Sequence, residues 1–131
     1  MSFGMDLLLN ELREEDVAEA TALCESLQRT ATFDAARAST DGLVLVGRED
    51  AAQGAVVAVA LYAGDAPGGH RLHVVVGPGD ATGQRQRQIA GIALGKLRSR
   101  GIAKCSVEVA GEERGRTFFQ SIRFTPERGA A

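Results

Sequence analysis

Only two cysteines occur in the 131 residues, and Cys24 and Cys105 stand apart at no metal-ligand spacing. That spacing excludes a structural zinc site. In a chain without the basic and apolar regions of a secretory leader, both read as reduced thiols of a cytoplasmic protein. Long apolar runs are missing as well. The longest, Gly54 to Ala63, is far short of the roughly 20 residues that a membrane-spanning helix needs. There is no excess of positive charge: the formal net charge is -2 and the pI about 5.7. No global field gathers nucleic acid or an anionic membrane around such a protein. Lysine is scarce, since Lys96 and Lys104 are the only lysines among 15 basic residues. The arginine excess, with abundant Ala and Gly, looks like the coding bias of a GC-rich bacterium. With one tyrosine, Tyr62, and two histidines, His70 and His73, the chain also has few groups able to move protons near neutral pH.

What is present fits one soluble globular domain, residues 1-131. Hydrophobic residues make up 44% and charged residues 24%, enough to bury a core and too ordinary for a disordered or fibrous chain. No internal repeat, low-complexity segment or linker divides it.

Leu7 to Leu9 form a short apolar run that reads as a first strand, closed by the charged cluster Glu11 to Asp16. A helix is expected next, because Val17, Ala20, Thr21, Cys24 and Leu27 recur every three or four residues behind acidic residues that suit a helix N-terminus. That spacing puts Cys24 on the buried stripe, as a small hydrophobe rather than a reactive thiol. A weaker helical segment, Thr32 to Ser39, leads to three strands, Leu43 to Val46, Ala55 to Tyr62 and Arg71 to Val76, separated by polar and glycine-rich breakers. Ile89, Ile92, Ala93 and Leu97 mark a helix from Arg85 to Arg100 that stops at Gly101. Lys104 to Val109 alternates as a strand, and Glu112 to Ile122 reads as a last helix with Glu112 as its helix-start carboxylate. The strand-helix-strand order implies a parallel crossover between the Arg71 and Lys104 strands. The expected fold is α/β (α+β): a mixed, mostly antiparallel central sheet with helices on both faces.

This order and several local patterns resemble the GNAT superfamily of N-acetyltransferases, over nearly the whole chain. The segment Leu7 to Asp16 is similar to that family's first strand, its Arg and the acidic start of its first helix. Val74-Val75-Val76-Gly77-Pro78 is similar to its central strand and V-x-P turn. Leu97-Arg98-Ser99-Arg100-Gly101 resembles the close of its main helix, and Phe118-Phe119-Gln120-Ser121-Ile122-Arg123-Phe124 its aromatic last-helix segment.

The resemblance implies acetyl-CoA or another acyl-CoA as cosubstrate, a primary amine as acceptor, direct attack of that amine, and no metal. It places the cofactor at Val74, Val75 and Val76 and at the loop that opens the main helix. There the family presents backbone N-H groups to pyrophosphate from an R/Q-x-x-G-x-G/A motif, the anion lying at the positive end of the helix dipole. The corresponding window is Ala81-Thr82-Gly83-Gln84-Arg85-Gln86. It departs from the motif: Ala81 stands for Arg or Gln, Gln84 and Gln86 for the glycines, and Gly83 is one place early. Gly83, Gln84, Arg85, Gln86 and Arg87 are the candidate contacts; Arg85 and Arg87 read either as phosphate ligands or as solvated arginines on a first helical turn. Phe119 occupies the position of the family's proton-donating Tyr and can donate nothing.

His73, on a face with Arg71 and Val75 by strand alternation, reads either as a surface or partly buried strand histidine or as a general base, and Glu108 on the Lys104 strand is a further candidate base. His70 reads as an exposed residue beside a turn. An alternative is a catalytically degenerate GNAT-fold protein that serves as a binding, regulatory or protein-interaction module. Only seven residues follow Phe124 in this 131-residue chain, whereas the family usually adds one or two strands. The expected sheet therefore lacks a final strand and leaves the Lys104 strand as an open edge, to be capped by a homodimer partner or another protein.

Overall fold

The computed structural model describes residues 7-49, 54-64, 70-79, 83-102, 104-113 and 116-124. The chain runs through β1 (Leu8–Glu11), a short 3-10 turn (Glu14–Asp16), α1 (Val17–Ser26), α2 (Thr30–Ala38), β2 (Leu43–Arg48), β3 (Val56–Tyr62), β4 (Arg71–Val76), α3 (Gln84–Ser99), β5 (Cys105–Glu113) and β6 (Arg116–Phe124). These form an α+β fold around a six-stranded sheet of order β1-β2-β3-β4-β5-β6. Every neighbouring pair is antiparallel except β4 and β5, which run parallel. Helix α3 makes the crossover between those two, as the strand-helix-strand pattern requires.

Alternation along the strands feeds two cores. Leu43, Leu45, Ala58, Ala60, Leu72, Val74, Val76, Val107 and Val109 face one side and pack on Ile89, Ala93 and Leu97 of α3. Val44, Val59, Leu61, Val75 and Ala110 face the other and pack on Ala20, Cys24, Leu27, Phe33 and Ala36 of the α1–α2 layer. Both sides of β2, β3 and β4 are thus covered, which is why these strands are nearly continuous runs of Val, Leu and Ala. Each fully buried Leu or Val contributes about 1.5–3 kcal/mol of transfer free energy, so the helices are held on by packing rather than by their short lengths.

Asp16 ties α1 to the sheet. It is 1% exposed; its Oδ2 accepts from Arg13 N at 3.0 Å and Arg13 Nε at 3.3 Å, and its Oδ1 from Arg48 Nη2 at 2.8 Å. Burial pushes the carboxyl pKa up, but the hydrogen bonds from Arg48 and Arg13 outweigh it and hold the group below its ordinary 3.8.

Two expectations about the C-terminal part fail. Glu112 to Ile122 is not a helix: Glu112 is in β5, and β6 pairs with β5 from Glu113↔Arg116 to Cys105↔Phe124. Phe118 and Ile122, four residues apart, satisfy a helical period, yet the same residues fall opposite Gly111 and Val107, on alternate positions of a strand. Thr117, Phe118, Phe119, Ile122 and Phe124 are β-branched or aromatic types that suit the pleated surface. It follows that the Lys104 strand is not an open edge; the expected lack of a further strand after Phe124 concerns residues 125-131, which lie outside the described residues. The edge that motivated a homodimer is occupied by the chain's own β6.

Candidate acid–base and anion site

Strand alternation sends Leu72, Val74 and Val76 of β4 into the α3 core and His73 to the opposite face. On the neighbouring parallel strand Glu108 lies in register with His73. The two expected bases therefore meet: His73 Nδ1 is 3.2 Å from Glu108 Oε1. The second carboxylate oxygen, Oε2, accepts from Arg29 Nη2 at 3.0 Å. The side chains of Arg29, Glu108 and His73 are 17, 23 and 21% exposed. Nδ1 itself is buried, and its contact with Oε1 lacks the alignment of a hydrogen bond, so the accessible part of the side chain belongs to other atoms. Burial lowers the His73 pKa from its ordinary 6.5; Glu108 opposes this, and Arg29 and Arg71 add to it. The ring is neutral at pH 7, the state in which an imidazole can take a proton.

Arg29 was not among the residues singled out from the sequence. It follows α1 at a reversal in which Gln28 has φ +59°, a left-handed conformation that is of order 1 kcal/mol unfavourable for a residue with a Cβ. Its backbone N–H donates to Cys24 O at 2.7 Å, closing the end of the helix and aiming the side chain across the sheet.

At the carboxyl end of β4 the chain turns toward α3. Gly77 N donates to Val57 O at 2.8 Å, and the first backbone bond of α3 runs from Arg87 N to Gly83 O at 3.1 Å. Gly79 has φ +99° and Gly83, the residue capping α3, +74°, conformations that glycine adopts without strain. The first turn, Gln84-Arg85-Gln86-Arg87, carries no acid. Two arginines against the positive end of a helix dipole suit an anion nearby better than an isolated helix. Arg85 also reaches Pro78 O and Glu49 Oε2, both at 3.4 Å. Ala81 and Thr82 lie outside the described residues. Val74, Val75 and Val76 sit in the middle of the sheet, paired to Ala60, Val59 and Ala58 of β3 on one side and to Val109, Ala110 and Gly111 of β5 on the other. At the last of these pairs the Phe118 ring lies across Gly111: a Cβ on Gly111 would meet two ring carbons at 2.8 Å.

No protein-family model and no curated protein matches this chain. Phe119 lies in β6, opposite Ala110, instead of on a helix.

The other ionisable candidates stand elsewhere. Tyr62, buried at the end of β3, has its hydroxyl 2.7 Å from Nδ1 of the exposed His70. Burial raises the Tyr62 pKa, so the phenol keeps its proton. Burial raises both thiols, Cys24 to about 12 and Cys105 above its ordinary value, so neither is a nucleophile near pH 7. Among the described residues no group of three or more His, Cys, Asp or Glu side chains is placed to hold a metal ion, and no helix is long and apolar enough to cross a membrane.

Proposed function

We propose that this chain is a GNAT-like N-acyltransferase that passes an acetyl or other acyl group from acyl-CoA to a primary amine. The observation that carries the reading is the pairing of His73 with Glu108 on the parallel strands β4 and β5, on the sheet face away from the α3 core, with the start of α3 following the end of β4. His73 and Glu108 face each other on β4 and β5, and β4 runs three residues further into the turn that opens the arginine-bearing N-terminus of α3. Three residues of strand are about 10 Å, a separation that suits an extended cosubstrate held at one end and reacting at the other.

In this reading Gly83, Gln84, Arg85, Gln86 and Arg87 hold the pyrophosphate, by backbone N–H groups and by guanidinium charge. The neutral His73 takes a proton from the amine nitrogen as that nitrogen attacks the thioester carbonyl. The C–S bond breaks, the new amide forms, and the departing thiolate takes a proton from solvent. Glu108 stabilises the imidazolium formed on the way. No covalent enzyme intermediate is required, since placing amine and thioester together supplies much of the rate.

The second reading, a degenerate GNAT-fold module that binds a ligand or protein without catalysis, is favoured by the other end of the same strands. The β4–β5 ladder is unbroken to Val76↔Gly111, and Phe118 fills the space over Gly111. Any bound acyl arm has to lie outside the sheet.

A thiol-release screen with acetyl-CoA over a panel of primary amines separates the two. The transferase reading predicts amine-dependent release of CoA, and at least a tenfold lower kcat in His73→Ala with loss of the acidic limb of the pH–rate profile. An unchanged profile in that variant removes His73 from the reaction, and the absence of release with every amine favours the module.

A further inference from the structure

We propose that Arg29 is a positioning residue: by holding Glu108 Oε2 it turns Oε1 toward His73 Nδ1, keeps the ring proton on Nδ1 and leaves Nε2 as the atom that accepts a proton. The inference rests on the reading of His73 as the base. It adds the residue and the atom on which that role depends.

A neutral imidazole carries one N–H, and the partner of one nitrogen decides which nitrogen bears it. Nδ1 is buried, and the oxygen 3.2 Å away belongs to a carboxylate. A lone pair on Nδ1 would confront that negative oxygen, whereas an N–H there is attracted to it even without ideal alignment. The carboxylate therefore places the proton on Nδ1, and the lone pair falls to Nε2.

Glu108 cannot do this unassisted. Its side chain is 23% exposed and long enough to turn to water, as unpaired surface carboxylates do. The Arg29 guanidinium, 3.0 Å from Oε2, fixes one oxygen and thereby the direction of the other. Arg29 is itself fixed at the root by its backbone bond to Cys24 O and by the left-handed Gln28 before it. A non-glycine residue in that conformation persists only where its surroundings enforce it; here it sets the point from which Arg29 crosses to β5. The charged groups facing His73 are then Glu108 from β5, Arg29 from the α1–α2 connection and Arg71 from its own strand. The two arginines disfavour an imidazolium at rest, and Glu108 limits the penalty when one forms.

The test is nitrogen-15 NMR of the ring nitrogens in the intact chain, at a pH where both histidines are neutral, with His70→Gln used to assign the two rings. A histidine free in water prefers the proton on Nε2, so the expected wild-type result, a majority of the Nδ1–H form at His73, is a departure from that preference, and the variants trace it to Glu108 and Arg29. Glu108→Gln should return the majority to Nε2–H, Arg29→Met should lose most of the Nδ1–H population, and Arg29→Lys should retain it. A wild-type ring mainly in the Nε2–H form overturns the proposal without any variant. So does an Arg29→Met ring indistinguishable from wild type. Cosubstrate binding at α3 is measured separately: the expected tautomer in a chain that does not bind acetyl-CoA keeps Arg29 in its role and removes the acyltransferase reading.

Discussion

Arg29 and Glu108 are 79 residues apart in the chain and 3.0 Å apart in the fold. The contact joins the α1–α2 layer to the second of the two parallel strands, and it gives Glu108 a fixed orientation beside His73. Three charged or titratable groups from three separate segments become one unit, which neither the strand pattern nor the helix pattern contains.

Stability at mildly acid pH should report on His73. Its folded pKa lies below the ordinary 6.5, so between those two values the unfolded chain binds a proton that the native one does not, and stability rises with pH. Above 6.5 the contribution is fully present. As pH falls from 6.5 through the folded pKa it is lost. Urea unfolding across this range should show a slope that His73→Gln flattens; an equal slope in both proteins contradicts the assignment.

Asp16 works in a lower window with the same sign. Its folded pKa is depressed below 3.8, so the stability it gives is present above 3.8 and lost as pH falls through the folded value. Asp16→Asn keeps the shape but weakens the bonds to Arg48 and Arg13, and should cost about 1–3 kcal/mol at pH 7. The difference from wild type should shrink as the pH falls below 3.8, which equilibrium unfolding at two pH values checks.

Gly111→Ala should destabilise by about 1–3 kcal/mol, the usual range for forcing extra volume into a packed site, because its Cβ meets the Phe118 ring at 2.8 Å. Adding Phe118→Leu to Gly111→Ala should recover part of that loss, which a double-mutant cycle measures as a non-additive term. Strict additivity would show that the ring does not rest on Gly111.

Much of the fold could be read from residue periodicity, and its failures have physical causes. Strands β2, β3 and β4 announce themselves as Val- and Leu-rich runs between breakers, and α3 as an apolar stripe with Gly101 beyond its end. Segment β6 misleads because Phe118 and Ile122 fit periods of two and of 3.6 equally well. The glycine at the second place of the two-residue link between Glu113 and Arg116 is the hairpin signal that could have decided it. In the candidate site, alternation alone put His73 on the face away from Leu72 and Val74. Its register with Glu108 comes from the length of the α3 crossover, which no local pattern encodes. Arg29 was illegible for a related reason: a surface-type arginine after a helix looks like any other until the sheet brings Glu108 to it.

The central claim, an acyl-CoA site at the N-terminus of α3, is tested most directly by calorimetric titration of the chain with acetyl-CoA and, in parallel, with CoA. The account predicts binding of both in the micromolar range, weakened about tenfold, or 1.4 kcal/mol, when Arg85 and Arg87 are both replaced by Gln. Absence of binding at millimolar acetyl-CoA would contradict it and leave the fold as that of a module with another ligand.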